Sequence, residues 1–396
     1  MNTSFTFIFL LLLTVLAGCT PSPSREPSRL PALEKLAPAE IPHLADDMDG
    51  YSLRTAVERS LSFYNRVPDD RRYPLGEIEV SVDRLKATLL RFLELLNSGR
   101  LDSATIGRDF DVYRVRFDPS QPPIVTGYYE PILDGDLKPG EEYSCPVYGI
   151  PPDLVTVDLA AFHPERFAGE QLVGRVQGGK VVPYYTRREI DGERKLDGSG
   201  CELLWLRDPI DAFFLHVQGS GMIAMPGGET RRIGYAAANG RPYRSIGKLL
   251  IDRGVMSPDE MSMQALRAYL RIHPEIRDEV LHHNESYVFF RWVQEGPVGS
   301  IHVVLTPGRS IATDPRYHPR GALSFLETQK PVPDQRGEVF ELQPVRRWVL
   351  NQDAGGAIKG MGRVDLFCGT GEDAEWLAGR LKQPGNLYFF LIKNMH

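Results

Sequence analysis

Short apolar segments that alternate with turn residues constrain the fold of this chain more than any other feature. The chain contains 37 glycines and 31 prolines, which supply frequent turns. Many short strands with few helices between them favour a mainly β fold of antiparallel barrels over a doubly wound sheet. The segments that predict strands are 113–117, 124–129, 181–185, 213–217, 287–292, 302–305, 346–350 and 386–392.

A smaller number of segments predict helices. Residues 53–64 and 82–96 carry apolar side chains at helical spacing, which we interpret as faces packed on a core rather than partner-binding surfaces. Ser257-Pro258-Asp259-Glu260 predicts a helix start, with Ser as the cap and Pro at the first helical position. The predicted helices cover 53–64, 82–96, 257–272, a short segment that ends at Asn284, and 372–382.

Net charge limits the classes of partner. The chain has 52 acidic and 46 basic residues, giving a formal net charge of −6. A protein built to bind nucleic acid has the opposite balance, so we expect no nucleic-acid partner. A length of 396 residues with 42% hydrophobic content is typical of a globular protein with about two to three domains.

The N-terminus predicts export and lipidation. Residues 1–18 contain no charged side chain, and their apolar run ends at Leu16-Ala17-Gly18-Cys19, which resembles the bacterial lipobox. We expect 1–18 to be a lipoprotein signal peptide and Cys19 to be lipidated; an uncleaved anchor or a plain signal peptide is the alternative. Residues 19–44 are rich in Pro, Ser and charge and predict an extended tether. Thr20 after Cys19 favours the periplasmic face of the outer membrane.

The remaining cysteines show no metal-binding pattern. Cys145, Cys201 and Cys368 lack CxxC or Cys/His spacing, and the nine histidines contain no HExxH motif. We therefore predict no metal site and no cofactor. One pair of these cysteines is able to form a disulfide in an oxidising compartment, and the sequence leaves open which pair.

A glycine-rich segment between two aspartates is the densest candidate for chemistry. Asp353 and Asp365 flank it, and Gly355 and Gly356 allow the backbone to turn tightly and to approach a ligand. Lys359 is followed by glycine rather than Ser or Thr, so the segment is not a phosphate-binding P-loop. Lys359 is interpreted either as a substrate ligand or as an exposed loop lysine. Taken alone, two aspartates beside glycine turns are more often turn formers than catalysts.

Two further motifs have the composition of a carbohydrate groove. Residues 126–131, TGYYEP, place two aromatic rings beside a glycine and a carboxylate, and 211–221 are predicted to be an apolar strand that opens into a QGSG loop. Aromatic faces stack on sugar rings, and polar side chains pair with hydroxyls. Barrel core and a plain hairpin loop are the alternative interpretations. The predicted substrate-binding residues are Thr126, Gly127, Tyr128, Tyr129, Glu130, Gln218, Gly219, Ser220, Asp353, Gly355, Gly356 and Lys359.

Together, eight motifs in order resemble the MltA family, membrane-bound lytic murein transglycosylases of Gram-negative bacteria. They are TGYYEP (126–131), PVYGIP (146–151), YYTRREI (184–190), DPIDAFFLHVQGSG (208–221), YAAANGRPYRSIG (235–247), NESYVFF (284–290), LTPGRSIATDP (305–315) and QDAGGAIKG…RVDLFCGTG (352–371). The last of them also resembles the three-aspartate (3D) domain, for which the candidates are Asp314, Asp353 and Asp365. Cys368 departs from the family pattern, in which an aromatic residue is common.

The resemblance implies the architecture. It predicts a double-psi β-barrel domain with accessory helices, interrupted by a second, inserted β-domain, with a groove between them. By motif position, the barrel is expected to be formed by 45–130 plus 296–396 and the inserted domain by 131–295.

The resemblance also implies the activity. It predicts cleavage of the β-1,4 bond between N-acetylmuramic acid and N-acetylglucosamine in peptidoglycan, with Asp365 as the catalytic residue, first acid and then base. An apolar site and a neighbouring carboxylate are expected to raise the pKa of Asp365. The expected partners are peptidoglycan glycan strands, the membrane through the lipid anchor, and other cell-wall enzymes.

Two other functions fit the same residues. An inverting muramidase would use Asp353 and Asp365 together, one as acid and one as base. A non-catalytic peptidoglycan-binding lipoprotein would share the aromatic and glycine motifs but would tolerate Asn at position 365.

Overall fold

A computed structural model describes residues 33–115, 123–167, 170–258 and 260–394. The chain divides into two units, Met1–Leu30 and Pro31–His396, and all of the described residues belong to the second unit. The predicted signal peptide, the lipidation site Cys19 and the first part of the tether lie outside the described residues.

Eight α-helices are found in the described ranges. Two of them confirm the helices predicted at 53–64 and 82–96, and each begins at a side-chain cap: Asp49 accepts from the amide of Ser52, and Ser81 from that of Arg84. The helices are α1 (Gly50–Tyr64), α2 (Val82–Asn97), α3 (Ser103–Asp109), α4 (Pro209–Gln218), α5 (Ile246–Asp252), α6 (Met263–Ile272), α7 (Pro274–His283) and α8 (Glu372–Arg380).

The described chain is mainly β, as the sequence predicts. In chain order, its strands are β1 (Leu33–Lys35), β2 (Arg72–Leu75), β3 (Ile78–Ser81), β4 (Phe110–Val115), β5 (Ile124–Glu130), β6 (Ile132–Asp136), β7 (Cys145–Tyr148), β8 (Leu154–Asp158), β9 (Gln171–Gln177), β10 (Lys180–Pro183), β11 (Glu202–Leu206), β12 (Ser220–Ala224), β13 (Thr230–Ala238), β14 (Val288–Val293), β15 (Ser310–Ala312), β16 (Leu323–Pro333), β17 (Val339–Asp353), β18 (Arg363–Thr370), β19 (Lys382–Pro384) and β20 (Asn386–Ile392).

The largest sheet has nine strands in the order β1-β4-β20-β16-β17-β15-β18-β5-β19. Most neighbours are antiparallel, but β15 runs parallel to β17, and β18 runs parallel to β5. Within the described ranges the ladder ends at β1 and at β19, so no closed barrel is found. The double-psi barrel stays a prediction.

A second sheet has six strands in the order β14-β13-β12-β6-β11-β7. All of its strands lie between Ile132 and Val293, whereas the nine-stranded sheet uses strands before residue 131 and after residue 309. Smaller ladders join β8, β9 and β10, and β2 with β3. The domain boundaries at 131 and 295 stay a prediction.

The main core lies between the nine-stranded sheet and helices α1 and α2. Trp348 on β17 is fully buried, and its ring packs against Phe92 of α2 at 4.7 Å between centroids. Phe325 on the neighbouring strand β16 and Phe390 on β20, the next strand beyond it, lie 5.1 and 4.6 Å from the indole. Burial of each such side chain contributes about 1.5–3 kcal/mol to folding, so this cluster fixes the helices on the sheet.

The prediction of a strand at 213–217 is wrong, because these residues belong to helix α4. Asp208 caps the helix by accepting from the amide of Ile210, and Pro209 occupies the first turn. Gly219 ends it in the left-handed conformation at φ 79°. The segment is apolar on several sides because it is packed from several sides, and a continuous apolar run does not distinguish a buried helix from a buried strand.

Two other predicted elements need correction. Ser257 and Glu260 do form a reciprocal cap, but helix α6 begins only at Met263, after a second cap at Ser262. Its end before His273 and the following helix up to Asn284 are confirmed. Residues 302–305 form no strand, because His302 has φ 57° and Val304 makes only an isolated bridge.

The tether is shorter than predicted. Leu33–Lys35 pairs with β4, and Leu36 and Leu44 are buried in the core. Asp46 forms an ion pair with the fully buried Arg309 at 2.6 Å. Residues 33–44 are therefore part of the folded domain, because a few apolar side chains and one added strand outweigh their proline-rich composition.

Candidate active site

Four neighbouring strands bring three polar side chains into one row. Asp353 on β17 lies opposite Ala312 on β15, Ala312 opposite Asp365 on β18, and Asp365 opposite Thr126 on β5. Opposed residues of adjacent strands point to the same face of a sheet. The row therefore places the two predicted aspartates and the first residue of TGYYEP side by side.

Asp365 sits between core residues but does not point into the core. Its neighbours Val364 and Leu366 are 1% and 3% exposed, and strand alternation turns Asp365 to the opposite face. The Thr126 hydroxyl donates to Asp365 Oδ1 at 2.8 Å. Burial raises the pKa of Asp365 to about 6, the Asp353 carboxylate adds to this, and Thr126 and Arg363 oppose it. The expectation of a raised pKa is confirmed.

The carboxylate of Asp353 accepts more hydrogen bonds than that of Asp365. Its Oδ1 accepts from the amides of Ser300 and Ala354, at 2.9 and 2.8 Å, and its Oδ2 accepts from the Tyr128 hydroxyl at 3.0 Å. Burial raises the pKa of Asp353, while these three hydrogen bonds oppose it. The Asp353 carboxylate is thus oriented by the protein itself.

An aromatic pair borders the two aspartates. Tyr128 and Phe367 lie opposite each other on β5 and β18, with ring centroids 5.3 Å apart. Burial raises the pKa of Tyr128 well above its usual range, and the charges of Asp353 and Asp365 add to this. The phenol therefore stays protonated and donates to Asp353.

Glycine at position 127 is explained by packing. A Cβ there would lie 2.8 Å from Ala378 Cα of helix α8 and 2.9 Å from Cys368 Sγ. Helix α8 therefore packs directly against β5, behind the row of polar residues.

The glycine-rich segment is open at its tip. A Cβ added to Gly356 would meet nothing within 4 Å, and Lys359 is exposed. The far end of the segment is fixed by Asp314, whose Oδ2 accepts from the amide of Gly360 at 2.7 Å. Gly356 therefore leaves space, whereas a Cβ on Gly355 would lie 3.1 Å from Ile358 Cγ1. Ligand binding by Gly355, Gly356 and Lys359 stays a prediction.

The QGSG residues support β5 from the end of helix α4. The side chain of Gln218 accepts from the amide of Tyr129 at 3.1 Å and contacts Met263 Sδ at 3.8 Å. Gly219 forms the helix end, and Ser220 is buried at the start of β12. The structure thus joins this motif to TGYYEP through a backbone contact.

Two residues of TGYYEP point into the protein. Tyr129 is 1% exposed and packs against Ala374 and Ala378 of helix α8. Glu130 is fully buried, and its carboxylate accepts from Arg232 at 3.2 Å and from the Thr370 hydroxyl at 2.7 Å. A direct contact of either residue with a ligand stays a prediction.

Sequence reasoning missed two residues of this site. The Ser300 amide reaches Asp353 across 53 positions of sequence, and nothing in the local pattern marks it. Arg363 donates to the Thr126 hydroxyl at 3.4 Å and lies two residues before Asp365. Strand alternation was a signal for Arg363, because residues two apart on a strand share a face.

Other site types find little support in the described ranges. There, no group of three or more His, Cys, Asp or Glu side chains is arranged to hold a metal ion, and Cys145, Cys201 and Cys368 are free thiols. None of the described helices has the length and apolarity needed to cross a membrane. A cavity of about 470 Å³ is lined by Glu327, Arg346 and neighbouring residues and contains neither Asp353 nor Asp365.

Comparisons with known proteins identify the family of the chain. The MltA specific insert domain matches residues 124–291, and the 3D domain matches residues 309–391. Membrane-bound lytic murein transglycosylase A of Vibrio cholerae is 31% identical over 274 residues, 68% of this chain and 66% of the relative. Its Escherichia coli K12 counterpart is 32% identical over 266 residues, 66% of this chain and 64% of the relative. The match thus spans a little under two thirds of the length of these curated relatives.

A solved structure extends the similarity to nearly the whole chain. The crystal structure of a membrane-bound lytic murein transglycosylase from Agrobacterium tumefaciens has a TM-score of 0.76 and 32% identity to this chain. The alignment covers 91% of this chain and 98% of the Agrobacterium chain. On this similarity, together with the insert and 3D domain matches, the chain belongs to the MltA family.

Proposed function

We propose that the protein is a lytic transglycosylase of peptidoglycan in which Asp365 is the catalytic acid and then the base. One observation carries the proposal: the Asp365 carboxyl has a pKa of about 6, with one oxygen held by Thr126. Among the described residues its second oxygen, Oδ2, accepts no hydrogen bond. Such a group is able to give up a proton near neutral pH and to take one back.

The first step is cleavage with proton donation. Asp365 gives its proton to the oxygen that links N-acetylmuramic acid to N-acetylglucosamine, and the bond from that oxygen to C1 of the muramyl ring breaks. The positive charge that develops at C1 faces the new Asp365 carboxylate. The released N-acetylglucosamine end carries the transferred proton as a hydroxyl hydrogen.

The second step closes the muramyl ring on itself. The C6 hydroxyl attacks C1, and Asp365 takes the hydroxyl proton, which restores the protonated carboxyl. The nucleophile is part of the substrate, so its effective concentration is high and no water needs to be positioned. The product is a 1,6-anhydromuramyl end, and the proton count of the enzyme is unchanged.

The contacts of Asp353 favour this one-carboxyl mechanism over an inverting muramidase. An inverting enzyme needs a second carboxylate that is free to orient and deprotonate water. Both oxygens of Asp353 already accept hydrogen bonds, from Ser300, Ala354 and Tyr128. We therefore assign Asp353 to orienting the site and adding negative charge beside Asp365.

We infer that the glycan strand lies along the face that carries Thr126, Asp365 and Asp353. The half-buried ring of Tyr128, which packs on the buried Phe367, borders this row, and Gly356 leaves room for a sugar because a Cβ there would meet nothing within 4 Å. A groove between the nine-stranded and six-stranded sheets, with the former as a double-psi barrel, is the architecture that would admit a long polymer. Other cell-wall enzymes are proposed as further partners.

The nature of the product tests the activity. Purified peptidoglycan is digested, and the muropeptides are measured by mass spectrometry, with Asp365→Asn as the blank. We expect anhydromuramyl ends, which are one water lighter than hydrolysed ends. Reducing muramyl ends alone would instead favour the inverting muramidase over the transglycosylase. Glycan binding with no cleavage by the wild type would identify a binding protein.

For the location, we propose a lipid anchor at Cys19 that holds the protein on the periplasmic face of the outer membrane. Two acyl chains bind a membrane durably, since each buried methylene contributes about 0.8 kcal/mol. Cys19→Ser is expected to release the full-length protein from sedimented membranes into the soluble fraction. Unchanged membrane retention of this variant would contradict the anchor.

A further inference from the structure

Arg363 is linked to Asp365 through Thr126. It lies two residues before Asp365 on β18, so both side chains are on the same face of the strand. Its Nη2 donates to Thr126 Oγ1 at 3.4 Å, and Thr126 in turn donates to Asp365 Oδ1 at 2.8 Å. The Nε of Arg363 is buried without a hydrogen-bond partner among the described residues. Burial of an unpartnered guanidinium nitrogen is costly, which indicates that the side chain is kept at this place for a purpose other than folding.

The direction of the Thr126 hydroxyl decides where the Asp365 proton resides. A threonine hydroxyl has one hydrogen to donate, whereas a guanidinium only donates. Arg363 occupies one lone pair of Thr126 Oγ1, and the single hydrogen of the hydroxyl is directed to Asp365 Oδ1. A protonated Asp365 must then carry its proton on Oδ2, the oxygen that is free to face a sugar.

We propose that Arg363 is a positioning residue that acts through Thr126 to keep the transferable proton of Asp365 on Oδ2. The inference deepens the proposed function and rests on it. Without the guanidinium, the Thr126 hydroxyl is free to turn and to accept a hydrogen bond from a proton on Asp365 Oδ1. That arrangement ties the proton to Thr126 and withholds it from the glycosidic oxygen.

The charge of Arg363 has a second, separable effect. The titratable and charged groups that face Asp365 are Tyr128 on β5, Asp353 on β17, and Arg363 and Cys368 on β18. Of these, Arg363 is the cation, and it favours the carboxylate form of Asp365. Loss of Arg363 is therefore expected to change both the rate and its pH dependence, by different routes.

A double-mutant cycle separates the two routes. The rate of formation of anhydromuramyl ends is measured for the wild type, Arg363→Met, Thr126→Val and the double variant, from pH 4.5 to 8. We expect Arg363→Met to lower kcat at low pH about tenfold. This is the change in rate expected when one hydrogen bond from a charged group is lost. In the Thr126→Val background the same change is expected to lower kcat less than twofold.

The pH profile provides the second readout. Arg363→Met is expected to move the falling limb of the profile to higher pH, by about half a unit to one unit, in both backgrounds. Arg363→Lys, which keeps a charged donor, is expected to restore most of the lost rate. If Arg363 had only a structural role, its replacement would not shift the falling limb of the pH profile, and its effect on kcat would not depend on Thr126.

Three controls keep the outcomes distinct. Arg114→Met removes another arginine of the same sheet, one that pairs with Glu34 at 2.8 Å, and is expected to leave kcat unchanged. Circular dichroism establishes that each variant is folded. If Arg363→Met lowers the rate equally in the wild-type and Thr126→Val backgrounds, or in neither, the positioning role of Arg363 is overturned. This outcome leaves the proposed role of Asp365 unaffected. A wild type that forms no anhydromuramyl ends overturns the proposed function itself.

Discussion

The carboxylates of Asp314 and Asp365 lie in the same 3D domain but in very different surroundings. Asp314 is 1% exposed, and it accepts from Arg316 at 2.6 Å and from the Gly360 amide at 2.7 Å. Burial alone would raise the pKa of Asp314, but these donors outweigh it and lower the pKa to about 2. Asp365 has one donor, Thr126, and burial raises its pKa to about 6.

The comparison shows that burial alone does not decide the pKa of an aspartate, because the guanidinium of Arg316 and the backbone donors outweigh burial at Asp314. Asp314 is a permanent anion that fixes the glycine-rich segment at Gly360. Asp353 has three donors, which orient it although burial raises its pKa. Asp365 has the fewest donors of the three, and its pKa of about 6 is what the proposed mechanism requires of the proton donor.

The largest expected effect is the loss of turnover in Asp365→Asn. Asparagine keeps the shape of the side chain and cannot donate a carboxyl proton, so we expect the rate of anhydromuramyl formation to fall about 10³-fold or more. Binding of isolated glycan strands is expected to change little. The measurement is product release by mass spectrometry together with sedimentation of protein on insoluble peptidoglycan. Turnover close to that of the wild type would remove Asp365 from its role.

The same variant is expected to be more stable than the wild type at neutral pH. The folded-state pKa of Asp365 is raised, so ionisation in the folded protein is unfavourable above pH 6. Replacement by Asn removes this penalty, up to about 3 kcal/mol. Urea unfolding is expected to show the gain at pH 8 and its loss as the pH falls towards 4. A gain that does not depend on pH would contradict the assigned pKa.

A smaller effect is expected from pH alone. The proposed mechanism needs protonated Asp365, so kcat/KM of the wild type is expected to fall as the pH rises through about 6. By pH 8 the protonated fraction is about 100-fold smaller than it is well below pH 6. The fall of kcat/KM with pH is measured from initial rates on solubilised glycan strands, in buffers of constant ionic strength. A flat profile between pH 5 and pH 8 would show that Asp365 does not limit the rate.

Residues adjacent in a motif were predictable from the sequence, and contacts between motifs were not. Helix α2 and strand β20 were evident from spacing, because each buries one regular face or one continuous run. Asp365 was evident because a known motif surrounds it. The Asp353–Ser300 and Arg363–Thr126 contacts depend on strand order, which apolar patterning does not encode.

What the local sequence pattern missed has a common physical cause. Helix α4 was predicted as a strand because its residues are buried from several sides, which hides the helical period. Glu130 remains a predicted substrate ligand, but its carboxylate is buried, where Arg232 pairs with its charge and Thr370 donates a hydrogen bond. In each case, partners that are distant in sequence decide the outcome.

The smallest expected effect concerns Asp314 and has the opposite sign to that of Asp365. The folded-state pKa of Asp314 is lowered, so the contribution of Asp314 to stability is present above pH 4 and is lost as the pH falls through about 2. Asp314→Asn is expected to destabilise the protein by about 2 kcal/mol at pH 7, roughly a 30-fold change in the folding equilibrium. Urea unfolding at pH 7 and at pH 3 measures the difference, which is expected to be smaller at pH 3.

Asp314→Asn also tests whether Asp314 acts on the chemistry. Asn keeps one acceptor oxygen for the Gly360 amide, so the glycine-rich segment stays in place, and the pH at which activity falls is expected to remain near 6. If the variant shifted that pH as Arg363→Met is expected to do, Asp314 would belong to the electrostatics of Asp365, and the contrast between a structural and a catalytic aspartate would fail. If Asp314→Asn destabilised the protein and left its pH profile unshifted, the contrast between the two aspartates would be supported. Stability and catalysis would then depend on different carboxylates of one domain.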